Sequence, residues 1–161
     1  MESNPNANLG TQMAANPSQI AANEFLELKP ATRAIIGGAM DVHNTLGIGF
    51  AEKVYENALR IVLCEKGLHV AQQRPVSVRF HGQVVGEYIP DLIADRVVVE
   101  LKSVPVLTRD HQVQCLNYLK ATGLNVCLLL NFGRRRLEFK RFAMTHSSAA
   151  ICAPFAAICV P

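Results

Sequence analysis

The chain has 161 residues and a mass of 17.6 kDa, and half of its residues are hydrophobic, so it is large enough for one domain with a core and too short for two. It has no apolar run of about 20 residues, and its start lacks the basic and apolar stretches of a signal peptide, so membrane spanning and secretion are not expected. The charges that give the net value of +3 are unevenly distributed along the chain. Residues 1–28 contain three Glu and no Lys or Arg, whereas residues 134–141 hold five of the sixteen basic residues.

The N-terminal half is predicted to hold an arm followed by two helices. Residues 1–24 are rich in Asn, Ala, Ser, Gln and Pro without periodicity, which indicates a disordered arm before a domain at 25–142. Apolar residues then recur at helical spacing in 32–47, where Thr32 is the predicted N-cap. The same spacing in 50–66, followed by a glycine, predicts a second helix.

The C-terminal half changes to the alternating pattern of strands. The predicted elements are an antiparallel pair at 75–80 and 83–88, a second pair at 91–94 and 97–103, a helix at 109–122, strands at 126–130 and 135–142, and a flexible apolar tail at 143–161. A right-handed crossover through the helix makes strand 126–130 parallel to 97–103. The elements therefore predict an α/β domain with a mixed β-sheet flanked by helices.

Two acids and a lysine in the second strand pair point to chemistry. Glu100 and Lys102 are two apart in a strand, so their side chains share one face. If residues 95–96 form a two-residue turn, Asp91 lies opposite Glu100, with Cβ atoms roughly 4.5–5.5 Å apart. Facing carboxylates repel each other, and a divalent cation such as Mg²⁺, which accepts carboxylate oxygens, removes the repulsion. Lys102 would then hold or activate a water beside that ion.

A cross-strand salt bridge is the competing interpretation of this cluster. Acid–lysine pairs with this spacing are common on exposed strands, and spacing alone does not separate the two interpretations. The geometry also depends on the register, because a slip of one residue would turn Asp91 to the opposite face.

Short motifs follow one another in order along the domain. Pro90–Asp91 and Glu100-Leu101-Lys102 have the form P-D…E-x-K, and residues 49–55 have the form G-x-x-E-x-x-Y. Together with 41–49 and 114–124, they resemble the GxxExxY protein family, which is grouped with the PD-(D/E)xK nuclease superfamily. The likeness covers roughly residues 30–142 and implies a restriction-endonuclease-like core.

The resemblance also implies roles for individual residues. Asp91 and Glu100 would bind a catalytic Mg²⁺ or Mn²⁺, with the backbone carbonyl of Leu101 as a further ligand. Lys102 would position or activate the attacking water. Glu52 matches the additional acid that many nucleases of this superfamily bring to the metal, often through water.

Two residues of the predicted third helix match a further motif. Gln114 and Tyr118 correspond to the Q-x-x-x-Y pattern of some exonuclease-type members, where these residues support the catalytic site. They are four apart and Glu52 and Tyr55 are three apart, so each pair shares a helix face. Structural interpretations remain open, because a Tyr on an apolar face is often a core residue and Glu52 could favour the helix dipole.

The leading hypothesis is a metal-dependent phosphodiesterase acting on DNA or RNA, with basic residues of 134–141 holding the phosphate backbone. The alternative is a non-catalytic nucleic-acid-binding or regulatory module that retains the nuclease fold. A third possibility is a site that works only with a protein partner in a larger complex. The five cysteines are odd in number and lack C-x-x-C spacing, which argues against disulfides and structural zinc and indicates a reducing cytoplasm.

Overall fold

The computed structural model describes the backbone of residues 17–144 and the side chains of 28–144. Its elements follow in the order α1 (Pro17–Leu46), α2 (Glu52–Glu65), β1 (Val70–Gln72), β2 (Val76–Phe80), β3 (Gln83–Tyr88), β4 (Leu92–Ala94), β5 (Val97–Lys102), α3 (Arg109–Thr122), β6 (Val126–Asn131) and β7 (Glu138–Ala143). Within this part of the chain, no helix combines the length and apolarity needed to cross a bilayer. The predicted tail lies outside the described residues from position 145 onward.

Five strands form one mixed sheet in the order β1-β4-β5-β6-β7. β5 and β6 are parallel and joined through α3, whereas the other neighbouring pairs are antiparallel. β2 and β3 form a separate two-stranded sheet. The predicted α/β class, with a mixed sheet flanked by helices and a parallel crossover, is confirmed.

The two faces of the sheet pack against different helices. One core cluster joins α1 and α2 to the sheet, and the other joins α3 to the opposite face. Because side chains alternate along a strand, Val99 and Leu101 belong to the first cluster and Val98 to the second. Glu100 comes two residues after Val98 and therefore points an acid toward the apolar α3 side.

The β4–β5 hairpin has the register predicted for it. Ala94 pairs with Val97, which leaves a two-residue turn at Asp95 and Arg96. Both turn residues have positive φ, 42° and 68°, as a type I′ turn requires. Asp95 also anchors the turn by accepting the His69 N–H at 2.9 Å.

The predicted start of the first helix is wrong. α1 begins at Pro17, so residues 17–24 of the predicted arm are helical and only 1–16 lie outside the described residues. Pro30 lies inside the helix, where it removes one backbone hydrogen bond without ending it. Thr32 is an interior residue of α1, and its buried hydroxyl has no hydrogen-bond partner in the described part of the chain, so it is not the N-cap.

Two strand predictions also differ from the structure. β1 was not predicted, since three residues are too few to show an alternating pattern. The last strand begins at Glu138 rather than at 135, because the preceding residues form a loop. This loop carries three consecutive arginines, Arg134–Arg136, past the end of β6.

Gly133 lies where the loop after β6 passes close to the loop after β5. A Cβ at this position would lie 2.4 Å from the Val104 nitrogen and 2.5 Å from its carbonyl oxygen. Backbone atoms cannot rotate away, so we expect Gly133→Ala to lower the free energy of unfolding by about 2 kcal/mol in urea denaturation. Gly37→Ala is the control: nothing lies within 4 Å of its Cβ, and a helix-interior alanine should stabilise by about 1 kcal/mol. Equal unfolding midpoints for the two variants would contradict the close contact.

Candidate active site

Three loops meet at the carboxyl ends of the parallel strands β5 and β6. The loop between α1 and α2 contacts the loop after β5, where the Ser103 hydroxyl donates to the Phe50 carbonyl at 3.0 Å. The loop after β6 joins them, since the Phe132 N–H donates to the Lys102 carbonyl at 2.7 Å. This edge is where α/β sheets bring together side chains from several elements.

Asp91 and Glu100 face each other across the open end of the β4–β5 hairpin. Leu92 pairs with Val99, so continuing the register by one step sets Asp91 opposite Glu100. The Asp91 Oδ2 atom accepts the Leu101 N–H at 2.8 Å. The two carboxylates therefore occupy one end of the hairpin beside a backbone segment of β5.

Pro90 changes the hydrogen bonding at this end. The same register sets Pro90 opposite Leu101, and proline has no N–H to donate to the Leu101 carbonyl. In an antiparallel ladder the N–H and C=O of one residue point to the same side. The Leu101 N–H is directed at Asp91, so its carbonyl also points to the Asp91 side of β5.

Glu100 is buried, with 2% of its surface exposed, and only one of its two carboxylate oxygens has a hydrogen-bond partner among the described residues. Its Oε1 atom accepts the Lys102 ammonium at 2.5 Å, whereas Oε2 has no hydrogen-bond partner among the described residues. Burial, reinforced by the charge of Asp91 and opposed by Lys102, raises the pKa of Glu100 to about 7. A buried carboxylate oxygen without a hydrogen-bond partner is costly, which makes Glu100 a candidate ligand-binding residue.

The neighbouring groups are perturbed by the same burial. Burial raises the pKa of Asp91, the Leu101 N–H opposes this effect, and the charge of Glu56 adds to it. For Lys102, burial lowers the pKa, but the hydrogen bond and charge of Glu100, with the other carboxylates, raise it overall. Lys102 is therefore an ammonium group at neutral pH.

Glu52 lies in the first turn of α2 and reaches the same edge. Its Oε1 atom accepts the Ser103 N–H at 3.0 Å, one residue beyond Lys102. Tyr55 fixes the preceding loop by donating to the Gly47 carbonyl at 2.8 Å and stacking on Phe132 at 4.6 Å. Tyr55 is fully buried, so its core interpretation is confirmed, whereas Glu52, in the first turn of the same helix, lies at the edge of the site.

Gln114 and Tyr118 share a face of α3, as their spacing predicts. Gln114 Nε2 donates to the Tyr118 hydroxyl at 2.9 Å, and that hydroxyl donates to the Ile89 carbonyl at 3.1 Å. Burial raises the pKa of Tyr118, and the second cause is the charge of Glu100. The pair therefore lies beside Glu100 on the α3 side of the sheet. Its hydrogen bond to the Ile89 carbonyl fixes the backbone immediately before Pro90.

Glu56 is a site residue that the sequence analysis missed. It is 3% exposed and accepts hydrogen bonds from Lys53 at 2.7 Å and Gln72 at 2.6 Å. Gln73 Nε2 connects the two acids, lying 3.0 Å from Glu56 Oε2 and 3.2 Å from Asp91 Oδ1. The available signal was an acid four residues after Glu52, in line with the apolar positions of the helix.

The donor set suits a hard divalent cation. Asp91 and Glu100 supply carboxylate oxygens, and the Leu101 carbonyl points to the same side of β5. The unpartnered Glu100 Oε2 is the atom that most needs such a partner. Among the side chains of residues 28–144, however, no group of three or more His, Cys, Asp or Glu is close enough to form a metal centre by itself. A cation here would need backbone, water or substrate oxygens to complete its shell.

Comparison with known proteins gives one match. The family model of the PD-(D/E)XK nuclease superfamily matches residues 29–142. The matched segment contains every candidate site residue described above. No curated protein and no solved structure gives a significant match.

Proposed function

Because the chain belongs to the PD-(D/E)XK nuclease superfamily, we propose that it hydrolyses phosphodiester bonds in DNA or RNA with a divalent cation as cofactor. One observation carries the proposal: two facing carboxylates, Asp91 and Glu100, adjoin the Lys102 ammonium, and one Glu100 oxygen is buried without a partner. Within the superfamily we assign the chain to the GxxExxY family on residues 49–55. Its free thiols, Cys64, Cys115 and Cys127, support a reducing cytoplasm.

The cation would be held by the two carboxylates and the Leu101 carbonyl, with Glu52 reaching it through water. When bound, Mg²⁺ or Mn²⁺ supplies charge stabilisation to phosphate oxygens and makes a coordinated water more acidic. Glu52 is held at the correct edge by the Ser103 N–H. Gln73, which also donates to Glu56, donates to Asp91 from the other side.

Lys102 acts as a hydrogen-bond donor in this proposal. Its raised pKa keeps the proton on the ammonium, so it orients the attacking water and stabilises charge on the phosphate rather than accepting a proton. Gln114 and Tyr118 are positioning residues: the Tyr118 hydroxyl is tied to Gln114 and to the Ile89 carbonyl, and it lies close enough to the Glu100 carboxylate to influence its pKa.

A cleavage assay tests the proposal. Labelled single- and double-stranded DNA and RNA are incubated with MnCl₂, MgCl₂ or EDTA and either wild-type or Asp91→Asn protein. Asparagine retains an acceptor for the Leu101 N–H but removes the charge, so folding is preserved. We expect metal-dependent cleavage by the wild type and none by the variant. Absence of cleavage by folded wild-type protein on all four substrates would contradict the proposal.

The competing function is a nucleic-acid-binding or regulatory module without turnover. One observation favours it: Lys102 pairs directly with Glu100, so the ammonium can neutralise that carboxylate without a metal. Calorimetric titration with MgCl₂ and MnCl₂ separates the two functions. Binding that is lost in Asp91→Asn supports the enzyme, and absence of binding supports the module.

A further inference from the structure

A cavity of about 690 Å³ opens at the edge of the sheet where β5 and β6 end. The loops that form it are those following α1, β5 and β6, which also position Glu52 and Lys102. Its lining includes Ile48, Pro105, Leu137 and the three arginines Arg134–Arg136. The most basic segment of the domain therefore shares a sheet edge with the carboxylates.

The loop that carries these arginines is fixed at its base. Asn131 is fully buried, and its Oδ1 atom accepts the N–H groups of Val104 at 3.1 Å and Gly133 at 3.0 Å. His43 Nε2 donates to the Arg134 carbonyl at 2.8 Å. These contacts hold the loop backbone in place, so the arginines extend from a preorganised base.

The three arginines differ in their partners. Arg134 lies 3.7 Å from Glu138 Oε2, a weak ion pair at the surface. Arg135 and Arg136 are exposed, and no described carboxylate lies within ion-pair distance of either. Two adjacent guanidinium groups at the rim of a cavity repel each other and favour an anionic ligand with spaced charges.

We propose that Arg135 and Arg136 bind the phosphate backbone of the nucleic acid on one side of the cleavage site. This inference rests on the proposed function and deepens it. Guanidinium groups fit phosphate oxygens in a bidentate manner, and such contacts position a strand without reading its sequence.

The spacing along the sheet fits this assignment. Lys102 pairs with Asn131 on the neighbouring strand, about 4.8 Å away, and Arg135 is four residues further, at most about 14 Å of chain. Successive phosphates of one strand advance by about 3.4 Å per nucleotide along the axis of a duplex. The arginines therefore reach phosphates a few nucleotides from the bond that Lys102 faces.

Fluorescence anisotropy with labelled oligonucleotides in EDTA tests the inference independently of cleavage. We expect Arg135→Ala/Arg136→Ala to weaken binding on the order of tenfold and to reduce the slope of log K against log [salt] by about 1.4–1.8. The matched control is Arg33→Ala/Arg60→Ala, which removes two exposed arginines about 20 and 12 Å along α1 and α2 from this edge. Equal affinity and salt slope in the two double variants would overturn the inference.

Competitors identify the ligand. Inorganic phosphate that displaces the oligonucleotide as well as unlabelled DNA does would overturn backbone binding in favour of a small-anion pocket. Equal displacement by poly-glutamate would overturn it in favour of an acidic polypeptide. The two proposals can fail separately. If the wild type does not cleave nucleic acid but the arginine double variant loses binding, the inference is supported and the nuclease function is rejected.

Discussion

Lys102→Ala is expected to reduce phosphodiester cleavage by a factor on the order of 10³, the effect of removing a charged group that acts in the transition state. Lys102 is the only lysine within hydrogen-bond distance of either facing carboxylate among the described residues, at 2.5 Å from Glu100 Oε1. No other lysine among the described residues is in place to take over the contact with water and phosphate that we propose for Lys102.

The variant is expected to remain folded because Glu100 can adjust its protonation. Lys102 lowers the pKa of Glu100 through a hydrogen bond and its charge. Without the lysine that pKa rises, and the carboxyl stays neutral at pH 7 instead of leaving a buried charge unpaired. Circular dichroism and a thermal melt verify the fold before kinetics are compared.

Lys120→Ala is the matched control, since it removes an exposed lysine from the last turn of α3. Its cleavage rate should remain within about twofold of wild type, as exposed surface positions have small effects. Full activity in Lys102→Ala would refute the assigned role, and equal losses in both variants would point to general charge effects.

The facing carboxylates could be predicted because their placement depends on local rules. A two-residue turn at Asp95 and Arg96 leaves one register for the hairpin, and the alternation of side chains then determines which residues face each other. The third helix was predicted with its observed bounds for a similar reason, since Gly123 in the left-handed conformation ends it.

The support around Asp91 could not be predicted, because it depends on contacts that are distant in sequence. Glu56 becomes a site residue only because β1 pairs with β4, which brings Gln72 and Gln73 over α2. Nothing in the three residues of β1 marks that pairing. Asn131 is similar: it ends an apolar strand in the sequence, but its contact with Val104 arises from the parallel neighbour β5.

Ionisation of the buried Glu100 carboxyl is expected to lower the free energy of unfolding of the domain as the pH rises. The pKa of Glu100 is about 7 in the folded protein against an ordinary value of 4.5. Between these values the folded state binds the proton more tightly than the unfolded chain, so stability falls with increasing pH. The difference corresponds to about 3 kcal/mol in the free energy of unfolding.

Glu100→Gln isolates this contribution, because glutamine has nearly the same shape and does not titrate. Glutamine imitates the neutral carboxyl that Glu100 carries below its pKa, and Lys102 stays charged in both proteins from pH 5 to pH 8, so the two proteins differ in pH dependence mainly through the ionisation of Glu100. We therefore expect the free energy of unfolding of the variant, relative to wild type, to increase by about 2–3 kcal/mol between pH 5 and pH 8. Parallel pH profiles for the two proteins would refute the raised pKa of Glu100.

Divalent metal should remove most of that pH dependence in the wild type alone. A cation that binds the ionised carboxylates stabilises the folded state at the pH where Glu100 is charged, by an amount that grows with metal concentration. Repeating the urea titrations at pH 8 with MgCl₂ or MnCl₂ should therefore raise the stability of the wild type and leave Glu100→Gln nearly unchanged. An equal rise in both proteins would mean that the cation binds elsewhere. Stabilisation confined to the wild type would mean that the cation binds at Glu100 and offsets the free-energy cost of burying its charge. The residue that destabilises the metal-free fold would then be the one that holds the metal in the proposed reaction.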